Sequence, residues 1–117
     1  MSKLYNPATA KQLIDEVCKS DLYSQFIVQI QKDLNRAGID HTLKTNKPKE
    51  LFSEIAHLLL EKIQNTFNEY LNLLYAVDVS EVKIRELDSE NSIDIVEYAT
   101  YLILKREWQK VWLRNNL

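Results

Sequence analysis

Apolar residues return at steps of three and four along most of the chain, and no run alternates convincingly as a strand would. The clearest stretch runs from Pro48 to about Ala76. Phe52, Ile55, Leu59, Ile63, Phe67, Tyr70, Leu74 and Val77 share one helical face there. The stretch holds no Gly, its one Pro stands at the start, and Leu, Glu, Lys and Ala supply helix propensity. It predicts a single amphipathic helix, about 43 Å long at 1.5 Å per residue, along which the other segments pack.

Four further elements follow from the same pattern. Ala10, Leu13, Ile14 and Val17 mark a helix over about 7–19, with Asn6 as N-cap and Pro7 in the first turn. Residues 1–6 form a loose lead. Ser20 and Asp21 end that helix and cap the next, about 22–37, whose apolar face is Tyr23, Phe26, Ile27, Ile30, Leu34 and Ala37. Gly38 is the chain's one glycine and stands where a left-handed C′ residue belongs, with Ile39 placed to touch Leu34 in a Schellman ending. In the polar connection 39–47, Ile39 and Leu43 tuck inward, and Thr45 or Asn46 caps the long helix.

Beyond that helix, Asp78 and Glu81 have capping-box spacing, and Val77 with Val82 could staple around the cap, which predicts a short helix over about 79–87, the alternative being that the long helix kinks and continues. The run Asp88–Ser92 breaks the pattern. A last helix over about 92–114, capped by Asn91 or Ser92, carries Val96, Ala99, Ile103, Leu104, Trp108, Val111 and Trp112 on its stripe. Ile95, Tyr98 and Leu102 widen the stripe in its first half, so burial on more than one side is expected there. The expected fold is all-α and four-helix bundle-like: two long antiparallel helices covered by two shorter N-terminal ones, with a short corner helix between the long pair. Residues 1–117 read as one helical domain.

Composition narrows the function more than the fold. Apolar residues make up 45% and charged residues 27%, so the chain can bury a real core. One Gly and two Pro in 117 residues leave few turns, which favours long helices with short connections. A net charge of −2 gives no global attraction to nucleic acid or anionic lipid. A lone cysteine, no signal-like leader and no apolar run long enough to span a bilayer point to a soluble, cytoplasmic protein.

The motifs that carry chemistry are thin. Glu54 and His57 have the Glu-x-x-His spacing of bundle di-iron sites, with Glu61 on the same face, but no second copy follows. Asn65, Asn68 and Asn72 extend that face, which reads as a solvated stripe. Cys18 follows the first helix's apolar stripe and is expected as a small core residue. With a single glycine, a backbone cradle for phosphates is close to excluded. No catalytic residue, metal ligand or cofactor is assigned.

The most unusual stretch interleaves cations and aromatics near the C-terminus: Lys105, Arg106, Trp108, Lys110, Trp112 and Arg114. Such a stretch suits single-stranded nucleic acid, where cations meet phosphates and aromatics stack on bases. It also suits an interfacial helix on an anionic membrane, and above all a helix end whose cations offset the dipole while Trp108 and Trp112 lie on the core stripe at i,i+4. The sequence therefore points to a non-enzymatic helical module that binds protein, above all a second copy of itself. The expected contact surface is Lys105, Arg106, Lys110, Trp112 and Arg114, with Trp108 buried and Trp112 partly exposed. A nucleic-acid module is the alternative and a metal-dependent bundle enzyme the third class.

Overall fold

The computed structural model of the chain describes residues 7–45, 47–87 and 91–116. Among them are six helices and no strand: α1 (Pro7–Lys19), α2 (Tyr23–Arg36), α3 (Pro48–Asn65), α4 (Phe67–Val77), α5 (Glu81–Arg85) and α6 (Ser92–Asn116). The all-α class expected from periodicity holds. The loose lead, the Asn6 and Asn46 caps and the Asp88–Glu90 part of the last break lie outside the described residues. No helix among the described residues is long and apolar enough to cross a membrane.

The organising element is α6 rather than the 48–77 stretch. All five other helices pack against it. Its 25 residues span roughly 37 Å at 1.5 Å each, matching the molecule's longest dimension of 38 Å. Its burial explains why: Val96, Tyr98, Ala99, Thr100, Leu102, Ile103, Leu104, Glu107, Trp108 and Val111 are all enclosed. Those residues spread around the helix, as the widened stripe required, so α6 takes partners on several sides. Asn91 rather than Ser92 caps it, its Oδ1 accepting the Ile93 N–H at 2.8 Å.

The expected long helix is broken at Thr66. Thr66 takes φ −144° and ψ 67°, closing α3 by donating its N–H to the Lys62 carbonyl at 2.8 Å. Its own carbonyl then accepts from Glu69 N–H at 2.9 Å to open α4. Apolar spacing runs straight through this point, although Asn65 and Thr66 are weak helix formers and Thr66-x-x-Glu69 has capping-box spacing. Packing supplies the reason: α3 lies against α1 and α6, whereas α4 lies against α2 and α6. A bend lets one continuous stretch serve two neighbours. It also turns Phe67 outward, 47% exposed against Tyr70 with ring centroids 5.4 Å apart, in place of its expected core position. Lys62 ties the corner by pairing with Glu69 at 3.0 Å.

The sense of the long pair also differs from expectation. Lys49 and Phe52 near the start of α3 share a cavity with Glu97 near the start of α6, and the end of α4 meets Lys110 in its second half. The 48–77 segment therefore runs the same way as α6, and the stretch through α5 brings the chain back. α2 is the antiparallel neighbour of α6, pairing Gln25 with Asn115 and Asp33 with Lys110.

Two helix endings show how local sequence sets the corners. After α2, Gly38 has φ +79°, with Ile39 N–H on the Leu34 carbonyl at 3.0 Å and Gly38 N–H on Asn35 at 3.1 Å. That is the Schellman ending read from the sequence, and Ile39 and Leu34 are both buried. The end of α4 is a second one built without glycine. Asp78 takes φ 75°, and Val79 N–H reaches the Leu74 carbonyl at 2.9 Å. Asp78 thus ends α4 instead of capping α5. Ser80 caps α5, its Oγ accepting the Lys83 N–H at 3.4 Å, and Val82 is exposed, so no staple to Val77 forms.

Candidate functional site

On α6 the positions Val96, Thr100, Ile103, Glu107 and Val111 recur at helical spacing and share a face. Glu107 is fully buried on it. Across from it, α2 brings Asp33, also fully buried, on the ladder of Phe26, Ile30 and Ala37. Two carboxyl groups in a helix interface demand compensation, because desolvating an unpaired charge costs several kcal/mol.

Asp33 is well supplied. Its Oδ2 accepts from Lys110 Nζ at 2.9 Å and Gln29 Nε2 at 3.1 Å, and its Oδ1 from Arg36 at 3.2 Å. Burial pushes Asp33 up, but hydrogen bonds from Glu107, Lys110 and Gln29 outweigh it and hold the carboxyl below its ordinary value. Glu107 is poorly supplied: no donor bonds either oxygen, and the nearest cation, Lys110 Nζ, lies 3.3 Å from Oε1. Burial, followed by Asp33 as proton acceptor and as like charge, pushes Glu107 up to about 9. The pair therefore shares one proton, carried by Glu107, while Asp33 holds the negative charge. Outward from it, Lys110 also donates to the Ala76 carbonyl at 3.2 Å and Arg114 to Gln29 Oε1 at 3.2 Å. Asn115 exchanges hydrogen bonds with Gln25, including one at 2.9 Å.

This cluster divides the C-terminal stretch that the sequence singles out. Lys110 turns inward and its ammonium is engaged by Asp33 and Glu107, so it is a structural residue here and not part of a free surface. Arg106 pairs with Asp78 at 3.2 Å, and Lys105 sits over the Tyr101 ring at 5.8 Å. Together with Lys83, Ser80 and Gln109 they line a shallow concavity of about 150 Å³. Trp108 is buried edge-on against Phe26 at 6.1 Å, its Nε1 donating to Glu16 at 3.0 Å. Trp112 is 48% exposed and Leu113 40%. Arg114 lines a groove of about 340 Å³ with Gln29, Lys32 and the exposed Val28.

The other candidates are placed differently from expectation. Glu54 faces the 39–47 connection rather than His57: its carboxylate meets His41 Nε2 at 2.7 Å and accepts the N–H groups of Lys44 at 2.8 Å and Thr45 at 3.1 Å. Burial raises Glu54, but the Lys44 N–H, His41 and Thr45 N–H together lower it further. His57 is exposed, and Glu61 pairs with Lys62. Among the described residues no three His, Cys, Asp or Glu side chains converge as metal ligands would. Cys18 is exposed: Ala10, Ile14 and Val17 hold the buried face of α1, and Cys18 falls one position beyond it.

Sequence reading passed over Asp33 and Glu107. The signal was present, since Glu107 lies four residues after Ile103 and four before Val111, both on the recognised stripe. No protein-family model, no curated protein and no solved structure matches the chain.

Proposed function

We propose that the protein is a non-enzymatic helical module that works by binding protein, in the first place a second copy of itself, through the C-terminal end of α6. The observation behind this reading is the adjacent pair Trp112 and Leu113, 48% and 40% exposed at the end of the helix that otherwise forms the centre of the core. Exposed Trp beside Arg is the composition of interface hot spots. Arg114 next to Trp112 also suits a two-fold contact, in which each copy lays its guanidinium over the other's indole.

A helix end is a small patch, well below the roughly 800 Å² per partner of a standard stable interface. The association is therefore weak and concentration-dependent. Turning Lys110 and Arg106 toward carboxylates removes two cations from the surface a nucleic acid would need, which favours the protein reading over the alternative. Light scattering on the parent and on Trp112→Ala, from micromolar to near-millimolar, tests it. The parent's mass should rise toward twice the monomer while the variant stays monomeric. A monomer at every concentration in both proteins would remove the self-association reading.

A further inference from the structure

We infer that the proton shared by Asp33 and Glu107 is a latch, whose loss releases the last turns of α6 from α2. The inference is independent of whether that helix end binds anything. It starts from geometry: two fully buried carboxyl groups face each other across the α2–α6 interface, and Glu107 has no hydrogen-bond donor on either oxygen. With the proton in place, Glu107 donates to Asp33 and only one negative charge is buried, opposite Lys110. Without it, a second carboxylate sits in the interior with one ammonium to serve both.

The charged groups acting on Glu107 are Asp33 from α2 and Lys110 from α6 itself. Arg36 acts through Asp33, Arg114 stands one step outward on Gln29, α4 offers the Ala76 carbonyl, and α1 sends Glu16 to the neighbouring Trp108. Lys110 gives two of its three N–H groups to Asp33 and Ala76 and has one left for the nearer Oε1, 3.3 Å away, while none of these outer groups acts on Glu107. For the second carboxylate oxygen water is the donor that remains, and it is reached by lifting the helix.

The tail is the part that can lift. Beyond Glu107 only Trp108 and Val111 are buried, while Trp112 to Asn116 are exposed. The polar contacts holding the tail are those of Trp108 to α1 and of Lys110, Arg114 and Asn115 to α2 and α4, all exchangeable with water. Upstream of Glu107 the helix is deeply buried, at Val96, Tyr98, Ala99, Thr100, Leu102, Ile103 and Leu104, and stays put.

Trp108 reports the latch, because it lies next to Glu107 and is buried against Phe26. With Trp112→Phe as background, Trp108 is the single indole, and its emission is followed from pH 6 to pH 10 alongside far-UV circular dichroism. A red shift with a midpoint on the alkaline side is expected, with only a few residues' worth of helix lost. Glu107→Gln in the same background, which needs no titrating proton, should show no such shift. Asp33→Asn removes the like charge and the proton acceptor, so its midpoint should fall by a pH unit or more; this holds the test if Glu107→Gln does not fold. No shift in the background protein, an identical shift in Glu107→Gln, or an unmoved midpoint in Asp33→Asn would each overturn the latch.

Discussion

Truncating the two tryptophans of α6 separates core from surface. Trp108 is 8% exposed, packs edge-on to Phe26 at 6.1 Å and donates to Glu16 at 3.0 Å. Burial of a large aromatic dominates the effect: removing it to Ala costs about 3–5 kcal/mol. Within that range, the edge-to-face pair contributes about 0.5–1.5 kcal/mol. The hydrogen bond adds little beyond it, because Glu16 is exposed and regains water when the indole leaves. Trp112 is 48% exposed in the last turns, where surface substitutions usually stay within about 0.5 kcal/mol, and partial packing raises its loss to about 1 kcal/mol. Urea denaturation followed by far-UV circular dichroism, with light-scattering mass at the same concentrations, reads both. Trp108→Ala should lose a large share of the stability of a domain held by about 5–15 kcal/mol, whereas Trp112→Ala should lose little stability but the association. Equal, large losses in both, with mass unchanged, would refute the division of α6 into buried shaft and contact end.

Four further outcomes are expected. Gly38→Ala should cost about 1–2 kcal/mol by urea denaturation, since φ is +79° and a Cβ would meet no neighbour, leaving backbone strain as the whole cost. Thr66→Val should stabilise by about 0.5–1 kcal/mol in the same assay, because Thr66 Oγ1 is buried without a partner and the replacement keeps its branched shape. Glu54 is lowered in the folded state, so its contribution is present above the unfolded value of about 4.3 and lost as pH falls through its folded value; Glu54→Gln should lower the melting temperature near neutrality and flatten the acid side of the pH–stability curve. Cys18 should react with a thiol reagent in the native protein as fast as in urea, since it is exposed.

What could be read in advance was what depends on neighbouring residues. The boundaries of α1 and α2, the Gly38 ending and the different fates of Trp108 and Trp112 follow from spacing and one glycine. The break at Thr66 was marked only faintly, by weak helix formers at Asn65 and Thr66 and by Thr66-x-x-Glu69 at capping-box spacing inside an unbroken apolar period; the bend answers α2 on one side and α1 on the other. Asp78 misled for a related reason. Aspartate serves as an N-cap and also tolerates the left-handed region, and the choice fell to the tertiary corner, where Arg106 pairs with it. Glu107 was legible by position but was passed over, since an acid on a core stripe makes sense only once Asp33 is seen opposite it and Lys110 beside it.

The measurement that bears most directly on the contact end of α6 is a pair of two-dimensional amide NMR spectra, at about 20 µM and about 1 mM. Concentration-dependent shifts should gather at residues 109–116 and at the indole N–H of Trp112, leaving α3 and α5 still, and they should vanish in Trp112→Ala. Identical spectra at the two concentrations, or shifts centred on α3 or α5, would contradict it.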